Sequence, residues 1–200
     1  MRRLNEMTHE EVIAYNLRDG GTAVTIFADA QTGRVMRARG LIRNILAEDP
    51  GPKFIYEPGC SAGDISGFFS EDHRVAACDV TPDAVRLTRE RWPKVEVVEA
   101  EVEDVEPVEC DILVLCEFME HVIDPVGLAE AWLPKARHVI IGHPLVGDNW
   151  DAEPGHVWAY YEPDFRNWFE IGGHELVEEQ HFPMYDLHMV IGRGRRRASQ

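Results

Sequence analysis

The sequence predicts an α/β fold, a mostly parallel sheet covered by helices, on three observations. Short apolar runs alternate with helix-like stretches: Lys53–Tyr56, Arg74–Asp79, Val95–Ala100, Asp111–Cys116 and His138–Gly142. The fourth run, Asp-Ile-Leu-Val-Leu-Cys, is apolar without interruption after its first residue, as a strand buried on both faces should be. Two later runs, Glu175–His181 and Asp186–Ile191, are joined by Phe182–Tyr185 alone, too short a link for a parallel crossover, and so predict an antiparallel hairpin at the sheet edge.

The elements follow in order. Thr8-His-Glu-Glu11 has the spacing of a capping box and predicts a helix to Arg18, stopped by Gly20-Gly21. A second helix, about Asp29 to Glu48, carries Val35, Ile42, Ile45 and Leu46 at near-helical spacing before Pro50-Gly-Pro52. These helices are expected to cap a ligand cleft, as a 1–50 helical cap on a single domain spanning 1–200. The first strand runs into Glu57-Pro-Gly-Cys-Ser-Ala-Gly-Asp64 and a helix-like stretch to Ser70, which would leave the first backbone N–H groups of that helix aimed at open space. The second strand ends in Asp79, twenty residues after Gly59, where a carboxylate lies beside the glycine turn and can accept both hydroxyls of a ribose. Thr81 reads as an N-cap with Pro82 at the first helical position. The fourth strand delivers Glu117-Phe-Met-Glu-His-Val-Ile-Asp-Pro125 to the carboxyl edge of the sheet, the edge at which open parallel sheets bind ligands. Beyond His143-Pro144, the loop Leu145 to Glu162 holds two tryptophans, two tyrosines and His156, suited equally to a lid and to packing the end of the sheet.

Composition narrows the function. The net charge of −16 repels long polyanions, so a duplex partner is disfavoured, and the one basic cluster, Arg193-Gly-Arg-Arg-Arg197, is expected to begin a solvated flexible tail over 193–200. No apolar run is long enough to span a bilayer, and the N-terminus lacks the apolar core of a signal peptide; a cytoplasmic location is expected. Cys60, Cys78, Cys110 and Cys116 form no C-x-x-C pair and read as reduced packing thiols. Oligomeric state is not legible.

The ligand class follows from the glycine turn. Gly59, Gly63 and Gly67 do not fit the G-x-G-x-x-G dinucleotide pattern, and Glu57 at the strand end would repel a pyrophosphate. The segment E-x-G-x-S-x-G instead resembles the first motif of class I S-adenosylmethionine-dependent methyltransferases, with Ser61 in place of the middle glycine. The resemblance covers about residues 35–192: Asp79-Val-Thr-Pro-Asp83 is similar to the second motif, Glu101-Val-Glu-Asp104 lies where relatives meet the adenine, and Glu117–Pro125 resembles the E-V-L-E-H-V-x-D-P signature of one branch. It implies a Rossmann-like three-layer sandwich with a seven-stranded sheet. It also implies S-adenosylmethionine as cofactor, held by Glu57, Gly59, Ser61, Gly63, Asp79, Val80, Glu101, Val102 and Glu117, with S-adenosylhomocysteine as product.

Methyl transfer from a sulfonium needs an aligned nucleophile and, for an alcohol or phenol, a base. His121 is the first candidate, with His143 and His156 next. A sharper alternative places a divalent metal on Glu117, Glu120, His121 and His156, because offsets of three and four put the first three on one helical turn. Small-RNA terminal 2′-O-methyltransferases resemble that pattern. Three functions therefore compete: methylation of O or N on a small molecule, metal-assisted RNA ribose 2′-O-methylation, and a non-catalytic cofactor-binding module.

Overall fold

The computed structural model describes residues 1–18, 33–146, 155–184 and 187–198. Among the described residues the strands are β1 (Arg2–Arg3), β2 (Phe54–Pro58), β3 (Arg74–Asp79), β4 (Glu96–Glu99), β5 (Cys110–Cys116), β6 (Ala136–Leu145), β7 (Trp158–Ala159), β8 (His174–Met184) and β9 (Leu187–Arg196). The helices are α1 (residues 9–18), α2 (Gly33–Glu48), α3 (Pro82–Arg91), α4 (Pro125–Trp132) and α5 (Glu162–Ile171). Seven strands form one sheet in the order β4-β3-β2-β5-β6-β9-β8. β2 to β6 are mutually parallel, and β9 and β8 close the far edge antiparallel, so the predicted α/β class and hairpin are both present. The chain leaves β2 in one direction for β3 and β4, then returns to pair β5 on its other side, which opens a crevice at the carboxyl ends of β2 and β5.

Alternate residues of β5 fill the two faces. Ile112 and Val114 pack with Leu41, Ile42 and Ile45 of α2, while Leu113 and Leu115 pack with Trp132 of α4 and Phe165 and Trp168 of α5. α1 begins at the expected capping box, with the Thr8 N–H donating to Glu11 at 2.8 Å and the Glu11 N–H returning to Thr8 Oγ1 at 3.3 Å. The predicted stop at Gly20-Gly21 and the predicted helix start near Asp29 lie outside the described residues. Among the described residues, no helix is long and apolar enough to cross a membrane.

Two expectations are corrected, and one, Thr81 at the N-cap with Pro82 following, is met without the side-chain bond. Asp64 to Ser70 forms turns and a single 3-10 turn, Gly67–Phe69, rather than an α-helix. Gly63 leaves the right-handed region at φ 72°, and a Cβ at Gly67 would lie 2.6 Å from the Trp92 ring, so this segment is shaped by packing on α3. Thr81 stands at the N-cap of α3, but its hydroxyl makes no cap bond; its backbone N–H is taken by Asp79 instead. Arg193 does not begin a solvated tail. It lies in β9, 6% exposed, clamped by Glu48 at 2.5 Å and Glu178 at 3.1 Å, because the strand inserts between β6 and β8 and those carboxylates neutralise it.

Candidate functional site

The carboxyl ends of β2, β3 and β5 each present an acid: Glu57, Asp79 and Glu117. All three line one cavity of about 580 Å³, a volume suited to a cofactor-sized molecule. The backbone fixes two of them. Asp79 accepts the Ser61 N–H on Oδ2 at 2.8 Å and the Thr81 N–H on Oδ1 at 2.9 Å, while Glu57 accepts the Ser66 N–H at 3.1 Å. Burial pushes Glu57 up to about 7 and raises Asp79 as well, with those N–H bonds pulling the other way. The third acid, Glu117, lies 3.1 Å from Arg34 of α2 and is raised by burial against that cation.

The turn after β2 is bent where the sequence places it. Gly59 has φ 64°, and a Cβ there would meet the Phe118 ring at 2.4 Å, so this position admits glycine alone. Ser61 and Glu117 hold φ values of 50° and 53°, a left-handed backbone that costs a side-chain-bearing residue about 1 kcal/mol or more. Ser61, Val80, Glu101 and Val102 line the cavity together with the three acids, whereas Gly63 shapes the bend without lining it. Glu101 holds a contact absent from the sequence reading: its Oε2 meets His9 Nε2 at 2.6 Å.

The opposite wall carries the histidines. His121 ends a 3-10 turn, Met119–His121, and its Nδ1 lies 2.9 Å from the Gly155 carbonyl. The tautomer that donates its Nδ1 proton to that carbonyl makes Nε2 the acceptor nitrogen of the ring. The His121 and His156 rings meet edge to face at 4.9 Å, and both line the cavity. Burial drives His156 down to about 3, which leaves it a poor base. His143, the remaining histidine candidate, is corrected: it is fully buried outside the cavity lining, packed on Tyr160 and Phe165, and lowered by burial to about 4.

The four-residue metal set is also changed. Glu120, His121 and His156 present ligand atoms within 4.8 Å of one another, and the group does not include Glu117, whose charge is met by Arg34. Glu120 is 0% exposed and neither of its oxygens makes a hydrogen bond of ordinary geometry. Burial and the neighbouring charge of Glu117 raise it well above the usual carboxylate range, opposed by the N–H groups of Glu120 and Phe118.

The aromatic loop divides. Trp158 Nε1 donates to the Val122 carbonyl at 2.9 Å and the Tyr160 hydroxyl to Met119 O at 2.7 Å, so these rings pack the wall that presents His156. Trp150 and residues 147–154 lie outside the described residues. Arg34, His9, Tyr15 and Phe118 join the site without having been singled out in the sequence. Arg34 alone carried a signal, a cation next to Val35 at the edge of the apolar face of a predicted helix, and nothing local told which acid it would meet.

No protein-family model and no curated protein sequence matches the chain. Solved structures do. Magnesium protoporphyrin IX methyltransferase from Synechocystis, with S-adenosylhomocysteine bound, is 13% identical at a TM-score of 0.77, with 93% of this chain and 98% of that one covered. The 1,6-didemethyltoxoflavin-N1-methyltransferase of Burkholderia thailandensis, bound to 1,6-didemethyltoxoflavin and S-adenosylhomocysteine, is 17% identical at 0.71, covering 96% and 92%. The N-methyltransferase NodS of Bradyrhizobium japonicum, also in complex with S-adenosylhomocysteine, is 18% identical at 0.62, covering 80% and 86%. At these identities the likeness is one of fold.

Proposed function

We propose that this chain is an S-adenosylmethionine-dependent methyltransferase acting on an oxygen or nitrogen of a small molecule. One observation carries the reading: Glu57, Asp79 and Glu117 converge from three neighbouring strand ends on one cavity closed by the Gly59 bend. Asp79, held by two backbone N–H groups, keeps lone pairs for the two ribose hydroxyls. Glu57 and Glu117 form the acidic end suited to an ammonium and a sulfonium. Bound S-adenosylmethionine would supply an electrophilic methyl group. The chain's own part would be to orient the acceptor, exclude water and move one proton; the cavity position of His121 and its Nδ1 contact to the Gly155 carbonyl support Nε2 as the group for that proton. Two of the fold neighbours are named as methyltransferases of magnesium protoporphyrin IX and of 1,6-didemethyltoxoflavin, which supports a small-molecule acceptor.

Calorimetry with S-adenosylhomocysteine tests the reading, with NAD as control. Heat from the first and none from the second is expected; silence with both overturns it. Tight binding with no turnover on any oxygen or nitrogen acceptor would favour a cofactor-binding module.

A second reading has its own observation. Glu120, His121 and His156 form a mixed O/N donor set whose buried carboxylate makes, among the described residues, no hydrogen bond of ordinary geometry, a set suited to manganese or zinc and to metal-assisted ribose 2′-O-methylation. A manganese-induced rise in melting temperature that is lost in Glu120→Gln would favour it.

A further inference from the structure

The first eighteen residues span the cavity from one wall to the other. At one end they are stitched to the histidine wall: β1 pairs with β7, the Leu4 N–H donates to Val157 O at 2.8 Å, and Asn5 Nδ2 donates to His156 O at 2.9 Å. The Met1 ammonium adds a contact to Asp164 at 2.5 Å. At the other end His9 Nε2 reaches Glu101 Oε2 at 2.6 Å, with Nδ1 3.9 Å from Glu103. Beyond His9, Val12, Tyr15 and Asn16 of α1 line the cavity. Within residues 1–18 only Val12 is buried, and such sparse apolar burial is the mark of segments that open locally without global unfolding.

We propose that residues 9–18 are a lid over the cavity, latched by His9 on Glu101, and that ligand leaves only when this latch opens. The contact is strongest when the imidazole carries its proton. Among the described residues, the charged groups acting on His9 are Glu101, Glu103 and Asp104, all acidic and all from the segment after β4. The hydrogen bond to Glu101, with the help of those charges, raises His9 above its ordinary value against a smaller effect of burial. A raised histidine contributes its contact fully below its unperturbed pKa and loses it as pH rises through the raised one, so the lid is latched in acid and loosened in base. Glu101 thus serves as the latch post, and its Oε2 is not available to an adenine amine while the lid is shut.

The inference rests on the proposed function only for the identity of the ligand. Release of S-adenosylhomocysteine, followed by stopped flow on either side of the His9 pKa, should be roughly three- to fivefold slower at the lower pH, the scale of a half-exposed ion pair. His9→Gln should release fast at both pH values, and His9→Lys, charged throughout, slowly at both. A pH step in His9→Gln equal to that of the unsubstituted protein overturns the latch. The ring titration of His9 by NMR in ligand-free protein separates the two proposals. A raised pKa that falls toward about 6.5 in Glu101→Gln supports the latch even where S-adenosylhomocysteine fails to bind. A His9 titration unmoved by that substitution overturns the latch even where it binds.

Discussion

The two walls of the cavity are built in different ways. On the strand-end wall the contacts that hold Glu57 and Asp79 are short in sequence: Asp79 to Thr81 spans two residues, Glu57 to Ser66 nine and Asp79 to Ser61 eighteen, while the third acid, Glu117, is met from α2 by Arg34. On the histidine wall the contacts are long: His121 to Gly155 spans 34 residues, Trp158 to Val122 36, Tyr160 to Met119 41 and Asn5 to His156 151. The first wall is a consequence of strand-turn-helix geometry and comes with the fold. The second is an assembly of loops and a terminal arm, free to differ between proteins that share the sheet.

That contrast predicts a division of labour. The largest expected effect is on turnover: His121→Ala should lower kcat by about a hundredfold or more while S-adenosylhomocysteine affinity stays within twofold, the range for loss of a general base. Equal losses in both would move His121 into the structural frame and blur the two walls. Next is stability against pH. Burial raises Glu57 from its ordinary value near 4.5 to about 7, so the folded state holds a proton that the unfolded chain has released between those values. Stability therefore falls as pH rises through that window, by roughly 3 kcal/mol from this group alone. Glu57→Gln should cancel that fall, read as the difference between the two urea-denaturation profiles from about pH 4 to pH 8. The buried His143 and His174, each lowered to about 4, work in the opposite sense and leave the difference untouched. Overlaid profiles would remove Glu57 as the titrating group.

Asp79→Ala should weaken S-adenosylhomocysteine by about 1 to 3 kcal/mol, the range for charge-assisted hydrogen bonds, with the histidine wall undisturbed. Calorimetry giving unchanged affinity would take Asp79 out of the ribose site. The smallest effect belongs to Ser61→Gly, which relieves a φ of 50° and should stabilise the protein by up to about 1 kcal/mol in thermal unfolding. A loss of stability would mean that the Ser61 side chain makes a compensating contact.

Legibility in the sequence followed the same division. Asp79 was found from its spacing to Gly59, since a strand, a turn, a helix and a second parallel strand leave little freedom in where that second strand ends. The helix expected over Asp64 to Ser70 failed because local pattern does not show that Trp92 presses on Gly67. His143 looked equivalent to His121, both lying just beyond a central strand. Only Tyr160 and Phe165, packed over it from later in the chain, remove it from the cavity. Arg193 looked like tail because a run of arginines usually is solvated, and the two acids that hold it come from α2 and β8.

By itself the sequence determined the sheet, its antiparallel edge, the bend at Gly59 and the acids that close β2, β3 and β5, since each rests on period, turn chemistry or near neighbours. Tertiary structure alone decided that Arg34 meets Glu117, that Glu120 is buried beside His121 and His156 and that His9 reaches across to Glu101. Those pairings depend on which distant side chains share a space once the core has closed. Side-chain charge and burial are properties of that shared space, and no window of sequence contains it.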